Sequence, residues 1–255
     1  MILETIMEET KIFCFSGTGN SYAVAKEIGG HFSVEPELMT HYKDINTIAV
    51  TASCVGIIAP VYLNDIPKPV KEFLLKLSFA DAAPYVFAVL TSGSGENKSG
   101  FKNIDIALAQ HGAGLALAYD VKMPSAFQAR ADIESVLSAV PDTVAEIAGA
   151  IESKQENYTP QGAAALPKDF TKLSFMYRPL TRLIVTENCT GCGLCCKLCP
   201  TDNIELRDNR AVRGENCIAC TACANWCPQH AIKSRMSRML KGQYHHPAVS
   251  ANDLL

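Results

Sequence analysis

The sequence predicts an α/β chain in two parts: a doubly wound parallel sheet, then a small α+β domain organised by cysteine. Three observations predict it. Short apolar runs alternate with helical patterns through roughly the first 150 of the 255 residues. A loop of small residues, SGTGNS at 16–21, lies between the first apolar run and the first helical pattern. Two cysteine-rich runs, CTGCGLCCKLCP and CIACTACANWCP, repeat with a period of 28 residues.

The elements follow in order. Residues 11–16 (KIFCFS) read as a strand. Ala23, Val24 and Ile28 share one face of the helix after it, and the pair Gly29-Gly30 can end that helix. A weak strand falls between His31 and Met39. Ile45–Asn64 carries no charged residue, but Thr47, Thr51, Ser53 and Pro60 make it one or two buried strands rather than a membrane span. Pro67 suits the start of a helix whose buried face is Val70, Phe73, Leu74 and Leu77. Tyr85–Leu90 and Leu115–Val121 are further strands. Between them Phe101, Ile104, Leu108 and His111 mark a helix stopped by Gly112. The stripe from Ile133 to Ile151 predicts a last helix, kinked or restarted at Pro141. These readings place one domain at 1–156, a linker or docking segment at 157–183, a second domain at 184–240 and a tail at 241–255.

In the first domain, ligand is expected at the carboxyl ends of the strands. The loop Ser16, Gly17, Thr18, Gly19, Asn20 and Ser21 presents hydroxyls and backbone N–H groups to an anion at a helix N-terminus. Asn20 can cap that helix. The loop holds no Lys or Arg, lacks the GK[ST] ending of a Walker loop and lacks the G-x-G-x-x-G spacing. Two further loops would flank a ring system. One is Pro60, Val61, Tyr62, Leu63 and Asn64, with Tyr62 as the stacking candidate. The other is Thr91, Ser92, Gly93, Ser94 and Gly95, whose glycines could offer backbone N–H groups. Asp65, Glu96 and Tyr62 are the acid/base candidates there, and nothing in the sequence chooses among them.

The second domain carries the stronger signal. Cys189, Cys192, Cys195 and Cys199, then Cys217, Cys220, Cys223 and Cys227, each follow C-x2-C-x2-C-x3-C-P. This is the two-cluster ferredoxin spacing, in which the fourth cysteine of each run crosses to the other cluster. A cubane has four iron corners. A tight loop wraps three of them and the fourth thiolate must come from elsewhere. The expected sets are Cys189, Cys192, Cys195 and Cys227 for one [4Fe–4S] cluster and Cys217, Cys220, Cys223 and Cys199 for the other. Zinc knuckles need neither the third cysteine of each run nor the prolines. Three of the eleven cysteines remain, Cys14, Cys54 and Cys196, and Cys196 breaks the frame as a bystander. Trp226, between Cys223 and Cys227, is expected to pack over a cluster. His245 and His246 are adjacent, point apart and read as structural.

Composition sets the bounds. Hydrophobic residues are 48% and charged residues 19%, a globular balance, and the net charge of −3 argues against a general nucleic-acid binder. The N-terminus carries no pattern of a signal peptide. The expectation is a cytoplasmic protein of a reducing compartment, with oxygen-sensitive clusters suggesting an anaerobe. The basic positions Lys233, Arg235, Arg238 and Lys241 read as a solvated face or as steering for an acidic redox partner.

Taken together, SGTGNS, PVY at 60–62, Met123-Pro124, both cysteine runs and QYHHP at 243–247 resemble the flavodoxin–ferredoxin fusion proteins of anaerobic bacteria and archaea. The loop is similar to the flavodoxin phosphate loop, which holds the FMN phosphate without a counter-cation. The resemblance implies a flavodoxin-like domain with FMN, a ferredoxin-like domain with two [4Fe–4S] clusters, and electron transfer with a ferredoxin-like donor or acceptor. The leading expectation is an electron carrier rather than an enzyme with its own substrate. A flavin-dependent reductase fed by the clusters, or a redox-sensing module with an empty flavodoxin fold, are the alternatives.

Overall fold

A computed structural model describes residues 10–62, 64–79, 83–95, 97–125, 133–160, 182–234 and 242–255. Leu63, Glu96, residues 161–181 of the linker or docking segment, and Arg235, Arg238 and Lys241 lie outside these residues. Met1–Ser16, Ser21–Met123 and Glu134–Pro167 group as one compact unit; Gly17–Asn20, Pro124–Ile133 and Lys168–Leu255 group as a second. Neither unit is continuous in sequence.

The first unit is a five-stranded parallel sheet. Its strands are β1 (Thr10–Cys14), β2 (Glu37–Leu38), β4 (Cys54–Pro60), β6 (Tyr85–Ser92) and β7 (Leu115–Lys122), in the order β2-β1-β4-β6-β7. That order reverses beside β1, which is the flavodoxin-like doubly wound arrangement. A parallel sheet covered on both faces needs strands that are apolar throughout. β4 (CVGIIAP) and β6 (YVFAVLTS) satisfy this and are buried along nearly their whole length. Alternate residues of a strand point to opposite faces. Ile12 and Cys14 of β1 accordingly join a core with Val24, Ile28 and Phe32 of α1 (Asn20–Phe32) and with Val144, Ile147 and Ile151 of the α-helix Val140–Glu152. Phe13 turns the other way, onto Phe73 of α2 (Lys68–Leu74), with ring centroids 4.8 Å apart. The helix α3 (Lys98–Ala109) packs against α2.

The helical stripe from Ile133 is two helices, α4 (Ile133–Ser138) and α5 (Val140–Glu152). Pro141 sits in the first turn of α5, where its missing N–H costs nothing. Gly29-Gly30 does not end α1, which continues to Phe32. Gly29 is there for space: a Cβ on it would run into the Val34 carbonyl, and Val34 N–H donates to Gly29 O at 2.9 Å. The weak strand is β2, only two residues long at the sheet edge. Ile45–Asn64 yields two strands. One is β4; the other, β3 (Ile48–Val50), leaves the main sheet and pairs in parallel with β5 (Leu77–Phe79). Among the described residues no helix is long and apolar enough to cross a membrane.

The cysteine-bearing part of the second unit obeys the 28-residue repeat in its backbone. Strand β8 (Leu183–Val185) and helix α6 (Leu194–Lys197) precede β9 (Ile204–Arg207); β10 (Arg210–Arg213) and α7 (Ala222–Asn225) precede β11 (Ile232–Ser234). β9 pairs antiparallel with β10, and β8 with β11. The β9–β10 turn is Asp208-Asn209, both with positive φ (48° and 56°), which is the two-residue turn whose twist suits a hairpin.

Candidate functional site

The repeat places the same backbone shapes in the same places around each cysteine run. Gly191 and Gly193 have φ of 69° and 77°, and their counterparts Ala219 and Thr221 have φ of 58° and 60°. Asp202 and His230 form a third such pair at 48° and 49°. The left-handed turn after the first cysteine aims a backbone N–H back at its sulfur, from Gly191 to Cys189 and from Ala219 to Cys217. The run's last cysteine receives an N–H from four residues on: Asn203 N to Cys199 Sγ at 3.2 Å and Ala231 N to Cys227 Sγ at 3.3 Å. N–H groups aimed at sulfur in this way are the kind that tune a cluster. Glycine is free in the left-handed region, whereas a Cβ costs about 1–2 kcal/mol there. Ala219→Gly is therefore expected to stabilise the second unit by about 1 kcal/mol, read as a higher guanidinium midpoint for loss of its structure.

Cys189, Cys192, Cys195 and Cys227 line one cavity, with Leu206, Ala211 and Ile232 as its apolar wall. The cavity encloses about 340 Å³, counting space open to solvent. Three of these cysteines come from one run and the fourth from the other. The remaining four sit together as well. Burial raises the Cys223 thiol well above its ordinary range, and charge on Cys220, Cys217 and Cys199 raises it further. Burial likewise pushes Cys195 up to about 12, with Cys196, Cys192 and Cys189 contributing. Cys189 is shifted the other way, because the Ala211 and Gly191 N–H groups point at its sulfur. Thiols so enclosed keep their protons at neutral pH until a metal displaces them. Thiolate is the donor that soft metal centres take, and that is the chemistry these cysteines offer. Cys14, by contrast, is fully buried in the first unit's core, and burial alone pushes its thiol far up.

The loop residues divide between roles. Ser21 and Thr91 are both buried, with their hydroxyls 2.8 Å apart, so each satisfies the other. Pro60 closes β4, and Val61 N–H donates to Thr91 O at 3.0 Å. Tyr62 is half-buried in a tight turn closed by the bonds Tyr62 N–H to Asp65 O and Asp65 N–H to Tyr62 O; Asn64 takes the left-handed position (φ 65°). Gly95 N–H donates to Ser92 Oγ at 2.9 Å, and Ser94 lies 3.2 Å from the same oxygen. Asn97 binds both Ser92 Oγ and Asp120, closing the loop that also holds Gly93. The Gly95 N–H is thus spent inside the loop. Asp65 is committed too. One oxygen takes the Ile66 and Asn103 N–H groups at 2.7 and 2.6 Å, and the other pairs with Lys71 Nζ at 2.5 Å.

Gly17–Asn20 is gripped by residues of its own unit that sequence periodicity does not single out. Trp226 Nε1 donates to Gly17 O at 2.9 Å, and His246 N–H donates to Thr18 O at 2.8 Å. Tyr244 OH donates to Asn20 Oδ1 at 2.7 Å, while Asn20 Nδ2 donates to Pro124 O at 2.8 Å. Asn20 is the first residue of α1 rather than a cap, and its side chain ties the loop to this unit. Gly19 has φ of 92°, and a Cβ on it would lie 3.1 Å from the Cβ atoms of His246 and Val249. Its openness serves the approach of the C-terminal segment. Trp226 stacks on His245 (centroids 4.1 Å apart, 17° between planes). Both histidines act structurally. Burial, and then His245, lower the His246 pKa and keep the ring neutral, so that its Nδ1 can accept the Ala248 N–H at 3.3 Å. The loop's chemistry fits a phosphate: small residues, backbone N–H groups and the start of a 13-residue helix.

Residues 182–238 match the 4Fe-4S dicluster domain family. No curated protein matches the chain. Among solved structures, the chain is similar to an FMN-dependent NADH-azoreductase from Bacillus anthracis in complex with FMN, at 13% identity and a TM-score of 0.41, covering 56% of this chain and 99% of that one. A flavodoxin, WrbA-like protein from Agrobacterium tumefaciens matches at 13% identity and a TM-score of 0.38, over 57% and 98%. A Streptococcus pneumoniae flavodoxin matches at 14% and 0.33, over 55% and 97%. The fold assignment rests on the strand order, which these likenesses accompany. The chain thus joins a flavodoxin-like α/β fold, assigned by its strand order, to a stretch at 182–238 that matches the 4Fe-4S dicluster domain family.

Proposed function

We propose that this chain is an electron-transfer iron–sulfur flavoprotein that passes single electrons between two [4Fe–4S] clusters and a bound FMN. The observation that carries the reading is the cavity lined by Cys189, Cys192, Cys195 and Cys227. Thiolates of both halves of the repeat meet there, as a crossed two-cluster arrangement requires. Cys217, Cys220, Cys223 and Cys199 would hold the second cluster. Bound clusters exchange one electron at a time and a flavin one or two, which is the chemistry these groups supply.

The chain's own residues do the rest. The N–H groups of Asn203 and Ala231 bond the sulfurs of Cys199 and Cys227 and orient them. Ala211, Leu206 and Ile232 limit water at the first set. Gly17–Asn20 would hold the FMN phosphate by backbone N–H groups. Asp65 is locked by Lys71 and Asn103, which removes one of the candidate acids a substrate-reducing enzyme would need. Exchange is with a ferredoxin-like protein, in the reducing cytoplasm of an anaerobe.

Anaerobic purification followed by iron, zinc and flavin analysis tests this. The expected result is about eight irons and one FMN per chain, with an EPR signal on reduction. Zinc in place of iron overturns the cluster assignment. Iron without flavin, in protein that also fails to load FMN, overturns the flavoprotein reading.

A further inference from the structure

We propose that Trp226 and the C-terminal strap of Tyr244 and His246 are positioning residues for the anion-binding loop, turning its backbone N–H groups toward the ligand phosphate. This rests on the flavin reading above. The chain has no cis peptide bond among the described residues, and in a trans peptide plane the C=O and the following N–H point in opposite directions. The Gly17 carbonyl is held by the Trp226 indole N–H, so the Thr18 N–H faces away from Trp226. The Thr18 carbonyl is held by the His246 N–H, so the Gly19 N–H faces away from the strap. Trp226 stacks on His245, the neighbour of His246, so both carbonyls are drawn to one side. Both N–H groups therefore face the other side, the second on a residue with φ of 92°. That is the construction of an anion nest.

The strap is anchored at the cluster end. Gln243 Nε2 donates to Ala224 O and Cys227 O, at 2.6 and 2.8 Å. Tyr244 N–H donates to Asn225 Oδ1 at 2.8 Å, and the same tyrosine's OH reaches Asn20. Ala224 and Asn225 belong to α7, which carries Cys223. One short stretch of chain thus bears two thiolates and sets the direction of the phosphate-loop amides. Loop order follows from the intactness of the second cysteine run.

The test uses full-length protein, stripped of flavin under anaerobic conditions and titrated with FMN and with riboflavin by fluorescence. Trp226→Phe keeps the ring and deletes the N–H, leaving the buried Gly17 carbonyl without its donor. FMN binding is expected to weaken by about tenfold, while riboflavin, which has no phosphate, binds as to the wild type. Tyr244→Phe, which keeps the ring and deletes only the OH that reaches Asn20, is expected to show the same selectivity with a smaller loss; it carries the test if Trp226→Phe loses iron. FMN affinity unchanged in both variants overturns the inference while the flavin reading stands. Equal losses for FMN and riboflavin overturn it too, since the residues would then only be supporting the fold. Wild type that binds neither flavin overturns the flavin reading itself.

Discussion

Cys223→Ala is expected to lower the iron content from about eight to about four per chain, with the visible absorbance roughly halved. Cys223 is buried on α7, and charge on Cys220, Cys217 and Cys199 shifts its thiol. Without it the second set has three thiolates for four iron corners. The other set keeps all of its ligands, because Cys227 is supplied from beyond α7 and its sulfur is held separately by the Ala231 N–H. Cys196→Ala is the contrast. Cys196 neighbours Cys195, but aligns in the repeat with Ala224, which has no thiol, and its loss is expected to leave about eight irons. Iron analysis with EPR on reduced samples reads both. Full iron in Cys223→Ala, or halved iron in Cys196→Ala, would mean the ligand sets are drawn wrongly.

Lys71→Met should cost the first unit about 3–5 kcal/mol of stability. The side chains of Lys71 and Asp65 are 9% and 15% exposed, and their ion pair is 2.5 Å long. A buried pair contributes little net stability over an apolar replacement, but removing one partner strands the other charge. Asn103 and the Ile66 N–H still bind Asp65, yet neither neutralises it. The double variant Asp65→Asn with Lys71→Met is therefore expected to recover much of the loss. Denaturant unfolding followed by far-UV circular dichroism distinguishes the outcomes. A single variant as stable as the wild type would show that the pair is hydrated and unimportant.

The parts of this fold that were legible are those written in hydrophobic period or in ligand spacing. Apolar runs marked β1, β4, β6 and β7 because strands covered on both faces cannot hide polar residues. The cysteine spacing marked the stretch that matches the 4Fe-4S dicluster domain family, because a four-cornered cluster calls for such spacing. β3 and β5 have three residues each, too few to show a period, and their pairing was missed. Gly29 was misread because helix-stopping and close packing call for the same residue; only the Val34 carbonyl tells them apart. The left-handed turns of the second run fall on Ala219 and Thr221, which carry no glycine signal. Alignment of the repeat onto Gly191 and Gly193 would have found them. The hold of Trp226, Tyr244 and His246 on Gly17–Asn20 acts through backbone carbonyls and one amide side chain, across most of the chain's length. No local pattern announces such bonds.

The pairing of β8 with β11 has a consequence for how the chain must assemble. The β9–β10 hairpin closes across two residues, Asp208 and Asn209, and can form early. The outer pair must close around everything between Val185 and Ile232, a loop some twentyfold longer, at an extra entropic cost of about 3 kcal/mol. Three residues of ladder on each side are a thin return for that ordering. In the proposed ligand sets each cluster takes thiolates from both halves, so metal coordination closes the same loop that the outer strands must close. The inorganic centres then act as the fasteners of a nested chain, and its two halves reach the native topology together.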